Sequence, residues 1–252
     1  MRETSQKQNL QVKFVDIKYC DLWGRLRHVT IPIERLKDVG ENGVGFDSSS
    51  VVGFGKVDSS DMILKPDLDS AFVEPFASQS TISCFAEIYD PVTGERYEDD
   101  PRYILDKAVA VVKSATGADE IMVLTEFEFY LFSSAEFWTD ESSAVYRVES
   151  DELRHDDHSG VALFKGNAYH VAPPFDRNVD FRSELATLMN SCGIPVKYHH
   201  HEGGRFAQVE VEPGYLPASR AGDSVVLTKY LVRNLAFRKG KSVTFMPKTD
   251  LQ

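Results

Sequence analysis

Carboxylates at alternate positions of strand-like segments constrain this chain more than any other feature. In VLTEFEFYLF, Glu126 and Glu128 flank Phe127, and in KYHHHEGGRFAQVEVE a second set includes Glu202 and Glu210. An extended strand sends successive side chains to opposite faces, so Glu126 and Glu128 are expected on one side, with Phe127, Phe129 and Leu131 buried on the other. Adjacent anions repel unless a cation lies between them, and oxygen ligands favour hard divalent ions such as magnesium or manganese. A single Glu-x-Glu is more often a solvated strand face. The second segment shifts the balance, because Gln208, Glu210 and Glu212 alternate with apolar Ala207, Val209 and Val211. Two acidic strand faces point to a metal site.

A chain of 252 residues, 42% hydrophobic and 27% charged, can bury a substantial core and divides more comfortably into two domains than one. No basic-then-apolar stretch opens it, and no run approaches the about 20 apolar residues of a membrane helix. The expected location is the cytoplasm, with no membrane partner. Cys20, Cys84 and Cys192 are odd in number and far apart, which suits packed thiols rather than disulfides or a cysteine metal site. A net charge of −11 repels a polyphosphate backbone, so no nucleic-acid partner is expected. Anionic substrates would need bound cations.

The opening segment reads as strands and turns, beginning with a hairpin whose arms meet at Asp21-Leu22-Trp23-Gly24. A small-residue loop, Gly43 to Ser50, and a turn at Lys65-Pro66-Asp67 follow, then a strand from Thr81 to Tyr89. Asp100 is placed to cap a helix with Pro101 in its first turn and Gly117 as its stop. Residues 133–165 read as a loop or irregular hairpin, where His155, Asp156, Asp157 and His158 receive no role. Asp180 is expected to cap a helix ended by Gly193, and another helix is expected from about Asp223 to Lys239, before a last strand, SVTFMP.

With these segments placed, the chain resembles a prokaryotic-type glutamine synthetase. The matching stretches are Asp21-Leu22-Trp23-Gly24, GFDSSSVVGF, SSDMILKPD, YDPVTGERYEDDPRY, TEFEFYLF, YHVAPPFD, KYHHHE, QVEVE and the terminal TFMPK. The resemblance implies an α+β fold. Residues 1–100 would form a β-grasp-like domain, and residues 101–252 the first part of a catalytic domain with a curved antiparallel sheet backed by helices. It implies an ATP-dependent glutamate–ammonia ligase acting through γ-glutamyl phosphate, with Mg2+ or Mn2+ offsetting the charge of glutamate and ATP. By motif position, Glu128, Glu202 and Glu210 would hold the first metal and Glu126 part of the second. Asp47, Ser50 and Tyr169 would form the ammonium pocket, where an anion can bind ammonium and take its proton. Family members form homo-oligomeric rings whose sites are shared between neighbouring subunits.

The residues alone leave blander readings for several of these positions. Asp47 before three serines is an ordinary tight-turn signature, and Tyr169 before a proline pair is an ordinary packed aromatic. In the run His199-His200-His201, alternation sends His200 to one face and its neighbours to the other, which favours a supporting hydrogen bond over ligation.

The sequence also departs from the family pattern. Ser48 and Ala207 replace glycines, and Lys197 stands where several members carry a nucleotide-contacting acid. Family members continue beyond TFMPK into the second-metal histidine, the arginines that grip glutamate and phosphate, and a flap glutamate. The 252 residues alone are therefore expected to be nearly inactive, with apolar surface exposed. Two other readings stand beside the ammonia ligase: a ligase joining glutamate to a larger amine or polyamine, and a non-catalytic metal-binding or regulatory subunit.

Overall fold

Asp21 closes the first hairpin: its Oδ1 accepts the backbone N–H groups of Trp23 and Arg25 while Gly24 takes a left-handed φ of 74°. The strands it joins are β1 (Phe14–Cys20) and β2 (Leu26–Pro32), antiparallel from Phe14↔Pro32 to Cys20↔Leu26. The computed structural model describes residues 11–55, 60–152, 167–204 and 206–248. The His155–His158 run lies outside them. By spatial clustering the chain divides into Met1–Ala118 and Asp119–Gln252.

The first unit adds α1 (Leu36–Asn42), β3 (Val44–Asp47), β4 (Asp61–Val73), β5 (Thr81–Tyr89) and α2 (Pro101–Thr116). Its sheet runs in the order β2-β1-β5-β4-β3; only the β1–β5 pairing is parallel. Three expectations change here. Helix α1 lies where only strands and turns were expected, Val44–Asp47 extends as strand rather than loop, and Lys65-Pro66-Asp67 runs inside β4 rather than turning. Pro66 is tolerated because β3 stops pairing at Leu64, leaving β4 a single partner strand there. Val15, Ile17, Leu64, Cys84 and Ile88 centre the core, and burial pushes the Cys84 thiol up to about 12. All three cysteines are free.

Helix α2 starts as its sequence predicts: Asp100 accepts from Arg102 N–H, Pro101 opens the first turn, and Gly117 ends it at φ 71°. None of its side chains is buried, and Ile104, Val111 and Val112 stand exposed.

The second unit comprises β6 (Met122–Val123), β7 (Phe127–Phe132), β8 (Ser134–Thr139), β9 (Ala144–Glu149), α3 (Val179–Ser191), β10 (Val196–His201), β11 (Gln208–Pro213), β12 (Leu216–Pro217), α4 (Ala218–Arg238) and β13 (Ser242–Thr244). Its main sheet is antiparallel throughout, in the order β10-β11-β7-β13. Phe127, Phe129 and Leu131 bury as the alternation requires, but Tyr130 and Phe132 are buried too, so only the start of β7 keeps an open face. Helix α3 packs on β10 and β11, with Phe181 against Phe129 at 6.2 Å between ring centroids, and α4 adds Leu227, Leu231 and Leu235.

Both helices begin earlier than expected. Asn178, not Asp180, precedes α3, and Asp180 lies in the first turn, where an acid suits the helix dipole. Helix α4 begins at Ala218 behind Pro217, without a side-chain cap to mark it. Strands β8 and β9 form the hairpin within the polar stretch and expose Phe137 at 82% and Trp138 at 54%. Among the described residues, no helix is long and apolar enough to cross a membrane.

A buried ionic network pins β1 to its neighbours. Lys18 Nζ lies 2.5 Å from Asp16 and 3.1 Å from Glu74, and Thr30 and His28 each reach Asp16 at 2.6 Å. Burial pushes the Asp16 carboxyl up, but Lys18, Thr30 and His28 outweigh it and hold it below the ordinary value. Removing the ammonium would leave two buried carboxylates without it. Lys18→Met is therefore expected to destabilise the chain by about 3–5 kcal/mol in urea unfolding, whereas a methionine that merely restored packing would leave the midpoint unchanged.

Candidate metal centre

Glu210 sits in the middle of the acidic face because β11 is a central strand. In register it faces Glu128 on β7 and His200 on β10. Directly opposed residues stand about 4.5–5.5 Å apart at Cβ, so the pairing itself delivers their head groups to one place. Gln208, Glu210 and Glu212 are all buried, whereas Glu126 and Glu128, the pair for which a solvated face was the blander reading, are exposed.

Two groups of oxygen and nitrogen donors result. His200, Glu202 and Glu210 offer ligand atoms within 4.8 Å of one another, and so do Glu126, Glu210 and Glu212. Glu128 is in neither group; its Oε2 accepts a 2.7 Å bond from Gln208 Nε2. It still feels the cluster: burial raises its carboxyl pKa, and the charges of Glu202 and Glu126 raise it further. Glu210 is pushed up to about 7 by burial, by a hydrogen bond with Glu202, and by the negative charges of Glu202, Glu126 and Glu128. Hard oxygen donors converging without enough positive charge suit a divalent cation of the magnesium or manganese class.

The turn from β10 to β11 fixes Glu202 relative to Glu210. Glu202 N–H donates to Gln208 O at 2.9 Å, and Leu131 N–H to Ala207 O at 3.2 Å. On the opposite sheet face, His201 Nε2 meets Glu152 at 2.7 Å while Nδ1 lies 2.6 Å from Glu202 O, so the backbone bearing Glu202 is tied from behind. Burial lowers the His201 pKa, but the bonds to Glu152 and Glu202 prevail and raise it. His200 faces the carboxylates, 3.4 Å from Glu202 and 3.7 Å from Glu210, as the alternation predicts. Gly204 leaves room for Gln208: a Cβ there would collide with Gln208 Oε1.

Beside this face opens a cavity of about 650 Å³ lined by Tyr169, His170, Asp176, Arg182, His199 and His200. Tyr169 is 60% exposed and stacks on His170 at 4.0 Å between ring centroids. Arg182 is buried and doubly bonded to Asp176, at 3.0 and 2.5 Å. Asp47 and Ser50 belong to the first unit. Asp47 Oδ1 accepts from Ser49 N–H at 2.9 Å and Ser49 Oγ at 2.6 Å, while Ser50 Oγ donates to Oδ2 at 3.3 Å. Asp47 is exposed and does form the turn that its serines suggested; the bonds from Ser49 lead in holding its carboxyl below the ordinary value.

A family model described as "Glutamine synthetase, beta-Grasp domain" matches residues 11–91, and one described as "Glutamine synthetase, catalytic domain" matches residues 98–252. The chain belongs to the glutamine synthetase family. It is 39% identical over 247 residues to the glutamine synthetase of Aquifex aeolicus and 37% identical over 242 residues to that of Streptomyces coelicolor, covering 96% and 94% of this chain. The chain spans about half the length of these relatives, 52% and 51%. A solved Plasmodium falciparum glutamine synthetase shares the fold, with a TM-score of 0.85 at 23% identity over 97% of this chain and 49% of that one. The α+β architecture with an amino-terminal β-grasp domain is thus that of the glutamine synthetase family.

The sequence brought Glu126, Glu202 and Glu210 to notice, but not the competing partners of their neighbours. Neither the capture of Glu128 by Gln208 nor the engagement of Glu212 by Lys197 and Tyr198, beside the register shift at Val196/Tyr198, had a sequence signal.

Two measurements check this geometry without added metal. Glu210 holds its proton more tightly folded than unfolded, so metal-free stability is expected to fall as pH rises from about 4.5 through about 7. Faster exchange of β11 amides across that range, corrected for intrinsic rates, is the readout; a flat profile contradicts the pile-up of charge. Gly204→Ala should cost about 1–3 kcal/mol by displacing Gln208 from Glu128, while Gly203→Ala, with nothing within 4 Å of its new methyl, should leave the unfolding midpoint close to wild type.

Proposed function

We propose that this chain carries the metal-binding and ammonium-binding parts of a glutamate–ammonia ligase site. Glu128, Glu202 and Glu210 would hold one Mg2+ or Mn2+, and Glu126 would stand nearest a second cation position. The observation that carries this reading is the buried Glu210 carboxyl, set in register against Glu128 and raised to about 7 by burial and three neighbouring carboxylates. Such crowding relaxes when a divalent ion enters. Glu128 would first exchange its bond with Gln208 for the ion, a rotation of one exposed side chain.

A divalent ion held there offsets the charge of a glutamate carboxylate and of nucleotide phosphates. Of the proposed chemistry, this chain's own residues would supply the metal ligands and the ammonium pocket. A carboxylate oxygen leaves poorly, so ATP would convert the γ-carboxylate of glutamate into an acyl phosphate, and ammonia would displace phosphate. Asp47, kept anionic by its serine donors, would attract ammonium and accept its proton, with Ser50 and Tyr169 completing the pocket. In the full assembly the neighbouring subunit's small domain would supply the aspartate. The functional division proposed is the one near residue 100, between the two matched domains.

Titration calorimetry with Mn2+ tests the reading. The chain should bind Mn2+, and Glu210→Gln and Glu128→Gln should each weaken the tight event by at least tenfold; undiminished binding in both variants removes these carboxylates from the ligand set. In the ATP- and ammonium-dependent glutamine assay, the 252-residue polypeptide is expected to turn over far below a full-length relative. Replacing ammonium with larger amines in a full-length chain bearing this segment distinguishes an ammonia ligase from an amine ligase.

A further inference from the structure

Glu128 has two neighbours to choose between across β11. Glu210 stands directly opposite it in register, and Gln208, two residues earlier on the same face of β11, lies on the diagonal, within reach of a long side chain. The carboxylate takes the diagonal. Its Oε2 accepts from Gln208 Nε2 at 2.7 Å, and it stands outside the group in which His200, Glu202 and Glu210 offer atoms within 4.8 Å of one another. In this bond the donor is fixed and the acceptor is free. Gln208 is 8% exposed, its backbone carbonyl accepts from Glu202 N–H at 2.9 Å, and its side chain fills the space over Gly204, where a Cβ would stand 2.0 Å from Oε1. Glu128 is exposed and able to turn. The amide offers it a donor, whereas Glu202 and Glu210 offer only like charge.

We propose that Gln208 is a positioning residue that restrains the metal site: in the ion-free chain its amide draws the Glu128 carboxylate aside from His200, Glu202 and Glu210, and an entering ion must take Glu128 from it. The inference deepens the ligase reading above and rests on its assignment of Glu128 as a ligand. An amide beside a ligating carboxylate has two possible roles of opposite sign. A donor that aims the carboxylate at the ion strengthens binding, so its loss weakens the site. A donor that holds the carboxylate elsewhere competes with the ion, so its loss tightens the site. The separation of Glu128 from the three-donor group assigns Gln208 to the second role.

Titration calorimetry with Mn2+ reads the sign. Gln208→Met keeps the length of the side chain without the donor, and should bind Mn2+ about tenfold more tightly than wild type, the scale of one hydrogen bond to a charged group. Gly204→Ala reaches the same end by another route, pushing the unaltered amide off Glu128, and covers the case in which methionine disturbs the strand; it should tighten binding too. Gly203→Ala, with nothing within 4 Å of its new methyl, should bind as wild type does. In a Glu128→Gln background, Gln208→Met should change nothing further, because the amide acts only through Glu128. A merely structural part in the turn would shift affinity in both backgrounds.

A folded Gln208→Met or Gly204→Ala chain that binds no more tightly than wild type overturns the inference, as does tightening that survives in the Glu128→Gln background. If Glu128→Gln still weakens the wild-type event in those cases, the ligase reading stands without it. If wild type binds no Mn2+, yet Gln208→Met gains an ion that Glu128→Gln abolishes, the ligand set proposed for the wild-type chain falls and the restraint by Gln208 stands. No binding in any of these chains overturns both.

Discussion

Strand register is the constraint from which the rest of the second unit follows. Pairing Val209 with Phe129 and Val211 with Phe127 places four apolar side chains on the helix-backed face, and it unavoidably sets Glu210 against Glu128 and His200 on the other. Burying each apolar chain gains about 1.5–3 kcal/mol. Repulsion between two carboxylates about 4 Å apart costs about 1–4 kcal/mol over the effective dielectrics of surface and solvent. The apolar face wins, and a slip of β11 by one residue would turn both of its valines to the other face. The acidic face is therefore a consequence the fold can carry, with its charge left unrelieved.

The chain handles buried carboxylates in two ways, and the contrast separates structure from function. In the first unit, Asp16 and Glu74 share Lys18, and hydroxyl and imidazole groups take remaining oxygens. That network is closed, and it holds Asp16 anionic. Around Glu210 no lysine or arginine is within ion-pair distance among the described residues, and the proton is retained toward neutrality. Behind the same strands, His201–Glu152 and Arg182–Asp176 are closed pairs again. Compensation is thus complete on the helix-backed face and incomplete on the acidic one.

Local rules, each governed by a single strong preference, account for what was legible in the sequence. The Asp21 hairpin, the Asp100–Pro101 start and Gly117 stop of α2, and the alternation that turns His200 toward Glu210 each depend on neighbours within one segment. The fold class and the identity of the acidic residues came from matching motifs along nearly the whole chain. Where sequence and structure part, tertiary context overrules propensity. Pro66 lies in a strand because β3 is short, α4 begins without a capping side chain, and β11 is buried on both faces because other elements cover it. The Gln208–Glu128 bond and the Lys197–Glu212 pair join segments whose spacing along the chain carries no trace of contact.

The two glycine replacements differ in physical meaning, and the difference returns to the same site. Among the described residues, positive φ outside glycine occurs only at His170, Phe206 and Ala207. Ser48 therefore sits in ordinary backbone, opening a short 3-10 turn, and the side chain it adds meets no conformational penalty. Ala207 holds φ 55° directly after Phe206 at φ 62°, a left-handed pair that costs about 1–2 kcal/mol per residue. That cost is sustained by the bonds from Glu202 to Gln208 and from Leu131 to Ala207 on either side. Strained backbone persists only where its surroundings over-determine it. Here the surroundings are the strands that carry Glu128, Glu202 and Glu210, so the tension of the turn and the crowding of the carboxylates are held by one set of pairings.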